Sequence, residues 1–425
     1  MEKGISAQKW KSALYAAITI FLAYATVFGY RKTYTAGIFE DMTVWGLGYK
    51  EMLVIIQAIG YLSSKFFGIK FISELKRIGR WKIIILLVVI SWLAWLGFAV
   101  VPAPYNIVFL FLNGFPLGLL WGVVFSYIEG RKTTDFIGAA LAVSFIFSSG
   151  VVKSVGQYLM DSFNVPEMWM PFVAGAVFFP LLCFTVYLIE KIPPPDAEDI
   201  ADRTERQPMN KSDRRALVKQ FFPGIFLLVV LYVFLTIFRD IRDNFVADMW
   251  KELGYLHQPE IFTKTETPVA LATLVLVGSL IFIRKNYKAF MLIHIMVMSG
   301  FVIAGLSSLC FVLGYLSPVY WITLVGLGLY MGYIPYNCVL FERFIATFRF
   351  TGNVGFLIYI ADSFGYLGSV SVILTKAILG ANQIMIQWTG LYSQGVIYLS
   401  VFGVMGTIIS MVYFNRKYHR MFRGA

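Results

Sequence analysis

The chain has 425 residues, a formal net charge of +12 and only 14% charged side chains, with a mean hydropathy of +0.72. Soluble domains carry roughly 25% charged residues, so the composition excludes an ordinary soluble protein and points to a polytopic membrane protein. The basic residues collect in alternate loops, which is a topology signal and no sign of nucleic-acid binding.

A helical span of a bilayer takes about 20 apolar residues. Twelve such segments follow one another, at roughly 12–38, 49–74, 81–101, 105–128, 134–160, 167–190, 217–246, 262–284, 288–315, 318–341, 350–378 and 388–415. The first is too long for a signal-peptide core, and no small-residue cleavage site follows it. Pro102, Pro104, Pro166 and Pro318 mark loops or helix starts. Between the sixth and seventh segments the chain turns polar, charged and proline-rich, with Pro193-Pro194-Pro195-Asp196 at its start. That stretch reads as a tether, and its basic C-terminal part as a candidate to lie along the membrane surface. The predicted architecture is all-α: a six-helix bundle at 1–190, a linker at 191–216 and a second six-helix bundle at 217–425.

Lys9 and Lys11, Lys76 and Arg77, Arg131 and Lys132, Lys285 and Lys288, and Arg416 and Lys417 all fall on one side of the predicted spans, as does the basic linker. The opposite loops are nearly bare, so both termini and the linker are expected in the cytoplasm, with the cell (inner) membrane as the expected location. The cysteines Cys183, Cys310 and Cys338 lie in apolar runs, an odd count without paired spacing that gives neither a disulfide framework nor a zinc site. No cofactor is expected, and a monomer is.

The two halves echo each other. Phe28-Gly29-Tyr30-Arg31 aligns with Thr236-Ile237-Phe238-Arg239 at an offset of 208 (239 − 31), Asp41-Met42 with Asp248-Met249 at 207 (248 − 41), and Leu47-Gly48-Tyr49 with Leu253-Gly254-Tyr255 at 206 (253 − 47). Each half thus places one arginine at the same point of its first span, at similar depth. An intramembrane arginine costs at least a few kcal/mol and marks a functional site by default. The planar guanidinium donates two parallel hydrogen bonds and stays charged, which suits phosphate. Arg31 shares a helical face with Tyr24, Phe28 and Thr35. Arg239 has Asp243 one turn on, which leaves a local ion pair as the alternative to ligand binding.

Twelve spans in two parallel-related halves joined by a cytoplasmic linker resemble the major facilitator superfamily, whose substrates sit near the midplane between the halves. Within it, Tyr30-Arg31-Lys32, Ser64-Lys65-Phe66, Phe111-Leu112-Asn113-Gly114 with Gly118 and Trp121, Val233-Phe234 followed by Arg239, and Phe364-Gly365-Tyr366-Leu367-Gly368 are similar to runs in the organophosphate:phosphate antiporters. The resemblance is distant and spread over most of the chain. It implies exchange by alternating access, with Arg31 and Arg239 binding phosphate or a phosphate ester and Lys65 lining the same cavity. The fifth-helix histidine of that family has no counterpart in the run from Val143 to Gly150, and only the Gly79-Arg80 end of the second loop matches the superfamily signature.

Further candidates are Tyr61, Tyr330, Tyr333 and Tyr336, whose hydroxyls suit phosphate oxygens, with helix packing as the other reading. Lys153 lies within the fifth segment. Asp362, in the eleventh, reads as a proton-coupling carboxylate, as a counter-ion, or as a structural partner of Lys153, Lys65 or an arginine. Lys264 and Glu266 open the eighth segment at the outer interface. Glu129 with Arg131 and Glu342 with Arg343 end the fourth and tenth segments at an offset of 213 (342 − 129), as gating ion pairs or as plain anchors. Gly60, Ser64 and Gly68, like Gly114 and Gly118, repeat every fourth residue, a helix-packing signal.

The expected function is secondary transport of a small anionic substrate across the lipid bilayer. A sensor of a phosphorylated metabolite and a proton-coupled carrier of another organic anion using Asp362 are the alternatives. An enzyme is not expected, because His257, His294 and His419 belong to no metal-ligand pattern and no nucleophile motif appears.

Overall fold

A computed structural model of the protein describes residues 7–73, 79–127, 134–194, 211–255, 257–283, 285–350, 354–381 and 387–422. Among the described residues, eleven helices are long and apolar enough to cross a membrane. The twelfth expected segment is a helix too, Tyr49–Ser73, with 25 residues. At about 1.5 Å per residue it exceeds the roughly 30 Å hydrocarbon core. The chain is an all-α polytopic membrane protein.

The helices are α1 (Ala7–Lys32), α2 (Tyr49–Ser73), α3 (Arg80–Val100), α4 (Val108–Phe125), α5 (Thr134–Phe163) and α6 (Met170–Glu190), then α7 (Lys211–Glu252), α8 (Glu260–Ser279), α9 (Asn286–Val312), α10 (Pro318–Pro335), α11 (Val354–Ala381) and α12 (Trp388–Phe422). Between α1 and α2 a small antiparallel hairpin, β1 (Thr43–Val44) and β2 (Leu47–Gly48), pairs Thr43 with Gly48. Its two turn residues, Trp45 and Gly46, both have positive φ (51° and 78°), as a tight hairpin turn requires.

Compactness divides the chain into two units: residues 1–203, 243–267 and 373–386, and residues 204–242, 268–372 and 387–425. In the first unit α1 packs on α5 and α6, α2 on α4, and α3 on α4 and α6. Its core includes Ile20, Tyr24, Leu120, Val123, Leu141 and Leu182. On α3 the buried face carries Ile84, Val88, Ser91 and Trp95, while Leu86, Ile90 and Leu93 are exposed. A helix that is apolar on both its packed and its exposed face is built for lipid. The small residues act as their spacing indicates. A Cβ on Gly60 would lie 2.6 Å from the Phe111 carbonyl, and one on Gly118 2.8 Å from the Tyr61 carbonyl, so α2 and α4 are in backbone contact.

In the second unit α9 packs on α10 and α12. An aromatic cluster joins Phe221, Phe290, Phe344, Phe348 and Phe414. α7 starts at Lys211, inside the stretch expected as linker, and bends at Phe221 (φ −122°, ψ 17°), two residues before Pro223. Proline removes a donor and disfavours helical geometry just ahead of it. After α10 the helix widens into a π turn, Tyr336–Leu340, and continues as Phe341–Phe348. Pro335 supplies the reason: it has no N–H for the preceding carbonyl, so the hydrogen-bond ladder re-forms with a wider step.

Candidate functional site

The first polar centre lies where α1 ends. Its last carbonyls have no helical partner, and neighbouring side chains take them up. Trp95 donates to the Tyr30 carbonyl at 2.7 Å and Asn113 to the same oxygen at 3.1 Å. Gln57 donates to the Arg31 carbonyl at 2.9 Å and to Asn113 Oδ1 at 2.8 Å. Asn113 spends its other hydrogen on the Ser91 carbonyl, and Tyr34 donates to Gln57 Oε1. Gln57 and Asn113 are buried and use both amide hydrogens, which fixes the backbone of Arg31 rigidly. Its guanidinium lies 4.0 Å over the Tyr61 ring and 5.9 Å from that of Phe28.

The second centre is on α7, α10 and α11, all within the second unit. Arg239 lies 4.2 Å over the Tyr333 ring. Its Nη1 donates to the Tyr333 hydroxyl at 2.9 Å and its Nη2 to Asp240 at 2.5 Å. Tyr232 stacks on Tyr333 at 5.2 Å between centroids and donates to Asp362 Oδ1 at 2.5 Å. The expected residues Arg239, Tyr333 and Asp362 are thus brought into one network, joined by Tyr232, which sequence reasoning passed over. Tyr336 packs on Tyr232 at 5.4 Å, and Tyr330 lies 5.9 Å from Arg242.

A third centre, within the first unit, surrounds Asp243. Its carboxylate pairs with Lys32 and Lys153, each at 3.1 Å, and accepts from Ser149 at 2.6 Å. Lys32 also donates to Asn244. The local Arg239–Asp243 pair offered by the sequence gives way to a different arrangement: Arg239 grips Asp240, and Asp243 serves the two lysines. Lys153 is 1% exposed, and burying an ammonium requires a partner charge. The same unit holds Lys50 paired with Asp248 at 2.5 Å and Lys376 with Glu51 at 3.1 Å. Glu266, expected at an interface, is instead 3% exposed and packs against Gly150, while Lys264 stays exposed and pairs with Glu260 at 3.7 Å.

Of the other expected residues, the side chain of Lys65 lies outside the described residues, as do Glu129 and Arg131. Arg343 donates to Asn286 at the start of α9 at 2.7 Å. Glu342 sits beside it on Phe341–Phe348. Lys32 and Asp243 carried a signal that was available. Two intramembrane ammoniums, Lys32 and Lys153, require a carboxylate somewhere in the same layer.

A family model described as a family of unknown function (DUF5690) matches residues 33–417. The chain belongs to the DUF5690 family. No curated protein matches this DUF5690 chain. Solved structures similar to it include the nucleoside transporter NupG (15% identity, TM-score 0.61, covering 95% of this chain and 99% of that one). A bacterial homologue of the human lysosomal transporter Spinster, inward-facing and unoccupied, has 14% identity and a TM-score of 0.57, with 97% of each chain covered. A bacterial homologue of the human drug peptide transporters PepT1 and PepT2 has 17% identity and a TM-score of 0.57, covering 96% and 99%. At these identities the likeness is one of fold, and the DUF5690 chain has the major facilitator fold.

Proposed function

We propose that the chain is a secondary active carrier, not an enzyme, which moves phosphate or a phosphate ester by alternating access, with Arg31 and Arg239 as its anion-binding groups. The observation that supports this most is the shared setting of the two guanidiniums, each over a tyrosine ring at 4.0 and 4.2 Å within a membrane-spanning helix. The similar solved structures are titled as transporters, which supports the carrier part of the reading. Tyr61 and Tyr333 orient the arginines, and Lys65 and Lys153 add positive charge. Both termini and the linker face the cytoplasm in this reading, and the halves are those of the linker boundary.

A phosphate ester brings about −1.5 to −2 charges. Neutralising buried guanidiniums makes the loaded carrier easier to reorient than the empty one, which favours exchange over net flux. The test is counterflow of labelled phosphate and of a labelled sugar phosphate into proteoliposomes. Arg31→Ala and Arg239→Ala are each expected to lower the rate about 100-fold, equivalent to roughly 2.7 kcal/mol. Counterflow that survives both substitutions overturns the proposal.

A further inference from the structure

Asp362, Tyr232 and Tyr333 form a line of acidic and hydroxyl oxygens that ends on Arg239. Tyr232 donates to Asp362 at 2.5 Å, its hydroxyl is 3.2 Å from that of Tyr333, and Tyr333 accepts from Arg239 at 2.9 Å. Asn337 Oδ1 lies 3.3 Å from the Tyr232 hydroxyl as a second acceptor. It stands in the π turn after Pro335, where the widened backbone presents it one helical turn beyond Tyr333. The two tyrosines are 1% and 6% exposed, so this line runs through a poorly hydrated interior, where the direction of one hydrogen bond constrains the next.

We infer that Asp362 is a proton-binding site and that Tyr232, by reversing its hydrogen bond to the acid, relays the protonation state through Tyr333 to Arg239. This deepens the carrier reading and rests on it for the link to transport. With Asp362 ionised, the Tyr232 hydrogen points at the carboxylate. A proton taken from water onto Asp362 forms a carboxyl O–H and turns the acid into a donor. The Tyr232 oxygen then accepts, and its hydrogen swings to Tyr333 or Asn337. Tyr333 now receives donors from Tyr232 and from Arg239 on one oxygen. No tyrosine ionises, and the only bond formed is the acid O–H.

Among the described residues, the charged and titratable groups facing this line include Arg239 and Asp240 on α7, Tyr333 and Tyr336, and Tyr366 on α11. Crowding the Tyr333 oxygen with a second donor weakens its bond to Arg239. Protonation also removes a negative charge from the same field. Both effects make Arg239 a better receptor for an anion, so proton and anion bind together.

Infrared difference spectroscopy of the purified protein between high and low pH tests this without a known substrate. A protonated-carboxyl C=O band is expected in the wild type and lost in Asp362→Asn. Tyr232→Phe is expected to keep the band and shift its frequency, because the acid loses its hydroxyl partner. Absence of the band in the wild type, its persistence in Asp362→Asn, or an unshifted band in Tyr232→Phe overturns the inference. If Asp362→Asn does not fold, the Tyr232→Phe frequency decides alone. In proteoliposomes, the acceleration of phosphate counterflow at low pH is expected to vanish in Asp362→Asn. An intact infrared result with no phosphate transport by any protein removes the phosphate reading and leaves the proton site standing.

Discussion

Arg31 and Arg239 occupy equivalent positions in the sequence repeat, yet the helices that carry them behave differently. α1 gives up α-helical geometry at Lys32 and winds into a short 3₁₀ turn, Thr33–Ala36. α7 runs on for 13 residues beyond Arg239 (252 − 239). The consequence is chemical. An ending helix exposes carbonyls, and α1 recruits Gln57, Asn113 and Trp95 to take them. A continuing helix satisfies its own backbone, so α7 spends its side chains on one another and on facing hydroxyls. The repeat therefore keeps the residue and changes its surroundings: distant side chains take the backbone carbonyls around Arg31, while the Arg239 guanidinium donates to Tyr333 and Asp240. Asp41 and Asp248 part in the same way. The first lies exposed in a left-handed turn at φ 57°, and the second holds Lys50.

The largest way to break the comparison is to disturb the charges that flank it. Lys32 follows Arg31 and Asp243 follows Arg239 by one turn, and the two are bonded with Lys153. Lys153→Met is expected to lower stability by about 3 kcal/mol, because one partner of a buried pair is left behind. The double variant Lys153→Met, Asp243→Leu is expected to cost more than the single one, because it also takes the Asp243 carboxylate from buried Lys32. Chemical denaturation in detergent measures both, and equal stabilities for the wild type and Lys153→Met would show that the cluster contributes nothing.

A smaller effect sharpens the contrast between the two mountings. Tyr333→Phe removes the hydroxyl that accepts from Arg239 and is expected to change phosphate affinity about tenfold, roughly 1.4 kcal/mol. Tyr61→Leu removes the ring under Arg31 and is expected to change affinity about fivefold, roughly 1 kcal/mol. Calorimetric titration with inorganic phosphate reads the difference, and equal responses would erase the distinction. Smaller still are the backbone effects. Gln57→Leu leaves the Arg31 carbonyl unmatched and is expected to destabilise by about 1–2 kcal/mol. Thr236→Val deletes only a local bond to the Tyr232 carbonyl and is expected to cost under about 0.5 kcal/mol. Thermal unfolding of the two variants side by side checks the order.

Much of the architecture was legible because apolar run length is written directly into the sequence. The second segment, read as 49–74, is Tyr49–Ser73, and the eleventh, read as 350–378, is Val354–Ala381. The start of α7 was misplaced because Lys211 to Gln220 is polar and so gives no membrane signal while forming a regular helix. The network residues were readable singly but not as partners. Tyr333 and Arg239 are 94 positions apart, and nothing local announces their contact. The spacing of Asp243 from Arg239 offers a local pair as one alternative, and two distant lysines hold it.

The π turn at Tyr336–Leu340 has a consequence in angular terms. An α-helix advances about 100° per residue, so one inserted residue rotates everything beyond it onto a different wheel. The part of the span before the turn aims Tyr333 at Arg239, while the part after it aims Arg343 at Asn286. A straight helix would fix one of these directions once the other was chosen. With the phase broken between them, the two ends of a single span answer to separate neighbours, and neither has to compromise its spacing for the other.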